Sequence, residues 1–88
     1  MKISTEGIEI TNRFFEAIEE LVRRGSIRGL QTFTRRYNLN YWNITTIKKA
    51  PDSHVLKPEC LCYLVRDYGV SAEWLLTGKG HIFATYVT

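Results

Sequence analysis

Residues 30–49 read LQTFTRRYNLNYWNITTIKK, and this stretch decides the fold. Leu30, Phe33 and Tyr37 recur at the three-and-four spacing of a helix's buried side, which leaves Arg35 and Arg36 facing out. A second helix follows from Tyr41 to about Lys49, with Ile44 and Ile47 turned inward. Between the two lies Asn38-Leu39-Asn40. Asn38 tolerates the left-handed conformation that ends a helix sharply, Leu39 reads as a core plug, and Asn40 can cap the helix that follows. A connection this short holds two helices at roughly 90–120°. The spacing therefore predicts a crossed helix pair whose second member stands proud of the body.

Upstream, Phe14, Phe15, Ile18, Leu21 and Val22 form one apolar face, predicting a first helix capped by Thr11 or Asn12 and stopped at Gly25. Glu16, Glu19 and Glu20 fall off that face, and Arg23 and Arg24 suit the negative end of the helix dipole. The second helix is expected from about Gly29 to Tyr37, with Ser26 as a rival cap. Residues 1–10 show little pattern and read as an N-terminal arm, with Ile3, Ile8 and Ile10 either forming that short arm or packing on the body. Downstream, Pro51 closes the third helix and residues 52–57 read as a loop. Pro58 fits the first turn of a fourth helix with Leu61, Leu64, Val65 and Tyr68 as its stripe, ending at Gly69. Ser71 caps a short fifth helix with Trp74 and Leu75 inward, and Gly78 stops it. The tail, 81–88, holds Ile82, Phe83, Tyr86 and Val87 in weak alternation, which suits a strand, a dimer arm or the start of a linker. The expected fold is all-α: about five short helices in a compact bundle over residues 11–80.

Eighty-eight residues with 44% hydrophobic content make room for one domain with a core that needs no staple. No apolar run approaches the roughly 18 residues that span a bilayer, and the first ten residues lack the layout of a secretion signal. The expected location is cytoplasmic. Cys60 and Cys62 would project to nearly opposite sides of a helix, poorly placed to pair, and read as small hydrophobes in a reducing compartment. His54 and His81 show no metal-ligand spacing and read as solvated surface. There is no glycine-rich phosphate loop, no metal-ligand cluster and no nucleophile–base arrangement. Glu19 and Glu20 are helix neighbours and not facing carboxylates. The sequence thus argues against an enzyme, and calls for no cofactor and no metal.

Net charge is only +3, but its distribution is uneven. Between Leu21 and Pro51 stand Arg23, Arg24, Arg28, Arg35, Arg36, Lys48 and Lys49, with no Asp or Glu. Acids flank this stretch on both sides. A basic middle between acidic segments is the electrostatic footprint of a surface that meets phosphates, and a solvated charged face is the bland alternative.

The later run Gly69-Val70-Ser71-Ala72-Glu73-Trp74-Leu75-Leu76-Thr77-Gly78, with Leu61, Leu64, Val65 and Tyr68 before it, resembles the fourth and fifth helices of the phage-repressor-like (lambda repressor/Cro) helix-turn-helix family. The spacing of residues 30–49 resembles that family's helix-turn-helix, and the resemblance covers about residues 12–80. The chain departs from the pattern at several places. Leu30 stands where a Gln is common (with Gln31 beside it), Thr34 where a small Ala usually sits, Asn38 in place of the turn Gly, and Lys48 where an acid often ends the recognition helix.

The resemblance implies a transcriptional regulator that binds double-stranded DNA, often as a homodimer, with helix 41–49 in the major groove. On that analogy Tyr41, Trp42, Asn43 and Thr46 face the bases, and Arg28, Gln31, Thr45, Lys48 and Lys49 hold the backbone. Asn43 suits a bidentate pair with adenine. The two aromatics would meet thymine methyls or sugars, unless Trp42 folds back onto Ile27 or the loop after Pro51. Exposed Tyr and Trp also suit a protein interface, so the rival expectation is a module of the same fold that binds protein and not DNA.

Overall fold

A computed structural model of the chain describes residues 2–84. It contains five α-helices among those residues: α1 (Thr5–Arg23), α2 (Leu30–Arg36), α3 (Tyr41–Lys49), α4 (Pro58–Tyr68) and α5 (Ala72–Thr77). The all-helical class expected from the sequence is what the chain adopts. Its contacts gather into two compact units, Met1–Leu56 and Lys57–Thr88.

In the first unit, α1 begins six residues earlier than the cap expected at Thr11. Ser4 is the cap: extended at φ −64° and ψ 160°, it accepts the Gly7 N–H on its Oγ at 3.1 Å. A Cβ at position 7 would lie 2.8 Å from Ile3 Cγ2, so glycine is what lets the Ile3–Ser4 turn close over the helix start. Residues 5–10 are therefore the opening turns of α1 and not an arm, and Ile3 is tied down by its N–H to the Asp52 carbonyl at 3.1 Å. Thr11 is buried within the helix, on the same stripe as Phe14, Phe15, Ile18 and Leu21. Val22, expected on that stripe, sits at its edge and is exposed.

Two helix ends in this unit use the same device. After α1, Gly25 takes φ +78°, and the Ser26 and Gly25 N–H groups return to the Leu21 and Val22 carbonyls at 2.9 and 3.0 Å. After α2, Asn38 takes φ +54°, and the Leu39 and Asn38 N–H groups return to the Thr34 and Arg35 carbonyls at 2.8 and 3.3 Å. This paired bonding satisfies the last carbonyls of a helix and turns the chain away within two residues. Gly29, extended and without a side chain to cap, opens α2 in place of the rival Ser26. The core is aromatic. Phe14 meets the Phe15 ring edge-on at 4.9 Å and Phe33 of α2 at 5.6 Å, and Phe33 meets Tyr37 at 5.0 Å. Helix α3 packs on both α1 and α2 and buries Ile44 and Ile47. Thr34, the larger residue in the usual place of Ala, is buried and donates its hydroxyl to the Gln31 carbonyl at 3.1 Å. A buried hydroxyl satisfied within its own helix costs little.

The second unit carries α4 and α5. Pro58 stands in the first turn of α4, and Gly69 leaves it at φ +72°. Ser71 caps α5 by accepting the Trp74 N–H at 3.2 Å, and Gly78 ends it at φ +80°. Leu64, Val70, Trp74, Leu75 and Cys60 are buried. Burial, reinforced by the neighbouring Glu59 carboxylate, pushes the Cys60 thiol up to about 11, so it stays a neutral apolar group at any ordinary pH. Cys62 is exposed, and both cysteines are free. The chain then returns antiparallel to the α4–α5 link: Val70 bridges Phe83, the Ser71 N–H reaches the Ile82 carbonyl at 2.9 Å, and the Ala84 N–H reaches Gly69 at 2.8 Å. Of the tail's expected roles, a strand-like pairing is what Ile82 and Phe83 adopt; Tyr86 and Val87 lie outside the described residues.

Candidate nucleic-acid interface

Helix α3 has the bounds that its sequence predicts. Asn40 is extended and its Oδ1 accepts the Asn43 N–H at 3.0 Å, while Ala50, held before Pro51, leaves the helical region at φ −139° and ψ 69°. Successive residues turn by about 100° around a helix axis. With Ile44 and Ile47 buried, that rotation aims Trp42 and Lys49 at the opposite side, with Thr45 and Thr46 equally to either side of them and Tyr41 and Asn43 on the two flanks.

The exposures agree with this arrangement. Trp42 retains 75% of its surface, so it does not fold back onto Ile27, which is buried, or onto the loop after Pro51. Asn43, Thr46, Lys48 and Lys49 are exposed, and Tyr41 and Thr45 are half-buried. The Tyr41 and Trp42 rings meet edge to face at 5.2 Å and 82°, forming an aromatic corner at the start of the helix. Asn43 contributes only its backbone N–H to the cap, so the cap leaves its exposed carboxamide unused. Lys48 leans across α1, its ammonium 5.9 Å from the centre of the Phe15 ring, whereas Lys49 lies on the Trp42 side of the helix.

One feature of α3 escaped the sequence reading. Thr45 and Thr46 both donate their hydroxyl protons to the Trp42 carbonyl, at 2.9 and 2.8 Å. Each hydroxyl has a single proton to give, so in this arrangement both threonines can accept from a ligand but cannot donate to one. Threonine three or four residues after a helical residue is the signal for such back-bonding.

The remaining expected positions lie on or before α2. Arg28 and Gln31 are exposed, as are Thr32, Arg35 and Arg36. The Arg36 guanidinium lies 5.3 Å from the centre of the Tyr37 ring. Arg23, at the end of α1, pairs with Glu20 and so has an acid partner within its own helix. The outward sides of α2 and α3 therefore hold cations, amides, threonines and an aromatic corner without one carboxylate. A surface of this kind can hold anions and stack or pack against flat groups.

Other chemistries have less material. Among the described residues, no three His, Cys, Asp or Glu side chains are grouped to hold a metal ion. No described helix is long and apolar enough to cross a membrane. His54 and His81 are exposed. In the second unit, Leu61 and Val65, expected in a buried stripe, instead line an apolar groove of about 370 Å³ with Cys62, Arg66, Ala72, Leu75 and Leu76. Leu76 is 51% exposed there. Periodicity marks the apolar side of α4 but does not say how much of it a single chain covers. No protein-family model, curated protein or solved structure matches this chain.

Proposed function

We propose that this protein is a sequence-specific double-stranded DNA-binding regulator of transcription, acting in the cytoplasm, with α3 as its major-groove reader. The observation that carries the reading is the outward side of α3, where Trp42, Asn43, Thr46 and Lys49 stand exposed within a stretch free of acids. A helix is the right width for the major groove, where each base pair presents a distinct pattern of donors, acceptors and methyl groups. Trp42, Asn43 and Thr46, with Tyr41 at the edge, face the bases in this arrangement. Arg28, Gln31, Lys48 and Lys49 hold the phosphates and fix the register, whereas Thr45, its proton held by the Trp42 carbonyl, has none to give a phosphate oxygen. The resemblance to the phage-repressor-like family supports the same docking, and pairing of two copies on adjacent half-sites would multiply affinity and specificity.

The test is fluorescence anisotropy with labelled random-sequence duplex at about 50 and 200 mM salt, a range over which several phosphate contacts lose orders of magnitude in affinity. Binding that falls steeply with salt is expected. Lys49→Ala should weaken all sequences alike and flatten the salt slope by about one, whereas Asn43→Ala should relax preference at one base position. If both variants bound as the wild type does, the docking would be wrong.

A second reading, a protein-contact module, is favoured by one specific observation, the apolar groove beside Leu76. Absence of duplex binding at the lower salt would move the assignment there.

A further inference from the structure

The exposed side of α3 has a chemical bias that narrows what it reads, and this rests on the DNA-binding proposal above. We infer that α3 recognises the C5-methyl group of a thymine, packed against Trp42 and Thr46. Three observations converge on this. First, Trp42 is the largest apolar surface exposed on the helix, at 75%, and its edge-to-face contact with Tyr41 limits how the ring can turn. Second, Thr46 lies one helical turn further on, on the same side, and its hydroxyl proton is held by the Trp42 carbonyl at 2.8 Å. The part of Thr46 that the helix does not hold is its methyl group. Third, Thr45 is held in the same way at 2.9 Å, so neither threonine has a proton for the acceptors that guanine presents in the major groove.

Apart from Lys49, which the docking above gives to a phosphate, this side offers an indole face and a methyl, with the Asn43 carboxamide on its flank. In the major groove thymine alone of the four bases carries an apolar group, and adenine alone offers the acceptor–donor pair that an amide matches twice. The combination suits adjacent A·T pairs read on both strands. Asn43 would engage adenine, while Trp42 and Thr46 enclose a thymine methyl. Cytosine methylated at C5 presents the same group in the same place, so the contact would follow the methyl and not the rest of the base.

The experiment begins with a site selected from a random duplex library by the full chain. That site is then made with each thymine replaced in turn by uracil, which removes the methyl and changes nothing else on the groove edge. At one position per α3 the wild type should bind uracil about fourfold more weakly, the effect of withdrawing one buried methyl from contact. Trp42→Ala should bring that thymine-to-uracil ratio close to one. Thr46→Ser, which keeps the hydroxyl and loses the methyl, should reduce the ratio, whereas Thr46→Val should preserve it. Circular dichroism of each variant confirms that the helices persist.

A wild type indifferent to uracil at every thymine would overturn the inference and leave the DNA-binding reading standing. So would a Trp42→Ala variant that binds more weakly yet keeps the ratio, since Trp42 would then touch sugars or stack between bases. No duplex binding at any salt overturns both readings together.

Discussion

Helices α1 and α3 lie in the same unit, yet their two sides are used in opposite ways. Helix α1 is 19 residues long and buries Thr11, Phe14, Phe15, Ala17, Ile18 and Leu21, while Glu9, Glu16 and Glu19 face solvent. Helix α3 is nine residues long and buries only Ile44 and Ile47, while its outward side carries an exposed tryptophan, an amide, threonine and lysine. On α1 the inward side does most of the work and the outward side is ordinary solvated charge. On α3 the balance is reversed: two isoleucines attach the helix, and the costly residue, Trp42, is turned where it contributes nothing to the core. A large aromatic left exposed opposite a helix's only buried pair has no folding reason to be there. The difference separates residues that stabilise the unit from residues that meet something outside it.

The largest effect should come from the inward side of α1. Phe14 is fully buried and joins Phe15 and Phe33 in edge-to-face contact. Phe14→Ala should lower stability by about 3–5 kcal/mol, read as a shifted midpoint in urea denaturation. For a unit this small that is much of the total stability. A loss below about 1 kcal/mol would mean that the aromatic cluster is not the structural centre of the unit, and the contrast with α3 would fail.

A smaller effect is expected at the joint that aims α3. Asn38 holds φ +54° and supports the two hydrogen bonds that end α2. Asn38→Ala should cost about 1–2 kcal/mol, because a Cβ without a compensating polar group resists that conformation. Asn38→Gly should be neutral or slightly stabilising by the same urea measurement. If the alanine variant were as stable as the glycine variant, the turn would not depend on the left-handed residue.

These two positions also mark what could be read from the sequence. The bounds of α3 and the turn before it were legible because their signals are local: Asn38, Asn40 and Pro51 each act on a neighbouring peptide group. The start of α1 was not. Gly7 has the look of a helix breaker, and its use depends on how closely Ile3 and Ser4 approach it. Thr11 reads as a cap by its chemistry, yet it is buried mid-helix because it continues the stripe of Phe14 and Phe15. The outward residues of α3 were assigned by the resemblance to the helix-turn-helix family, and neither it nor helical spacing could decide whether the Trp42 ring would turn back. Nor could either reveal the two threonine hydroxyls held by one carbonyl, which depend on side-chain rotamers. In α4, Leu61 and Val65 carry the right period for burial and still line an open groove.

The smallest effect on stability is expected on the outward side of α3, and it is the sharpest test of the contrast. Trp42→Ala removes the largest side chain of the helix, and in a core such a truncation costs about 3–5 kcal/mol. Here the ring is 75% exposed and meets chiefly Tyr41, so urea denaturation should place the variant within about 0.5 kcal/mol of the wild type. Alanine is also the better helix former, which offsets part of the lost ring contact. Duplex affinity should fall in the same variant. Stability retained and affinity reduced would separate the two uses of a helix face within one unit. A loss of stability comparable to that of Phe14→Ala would show instead that Trp42 belongs to the core, and the outward side of α3 would then have no claim to a partner.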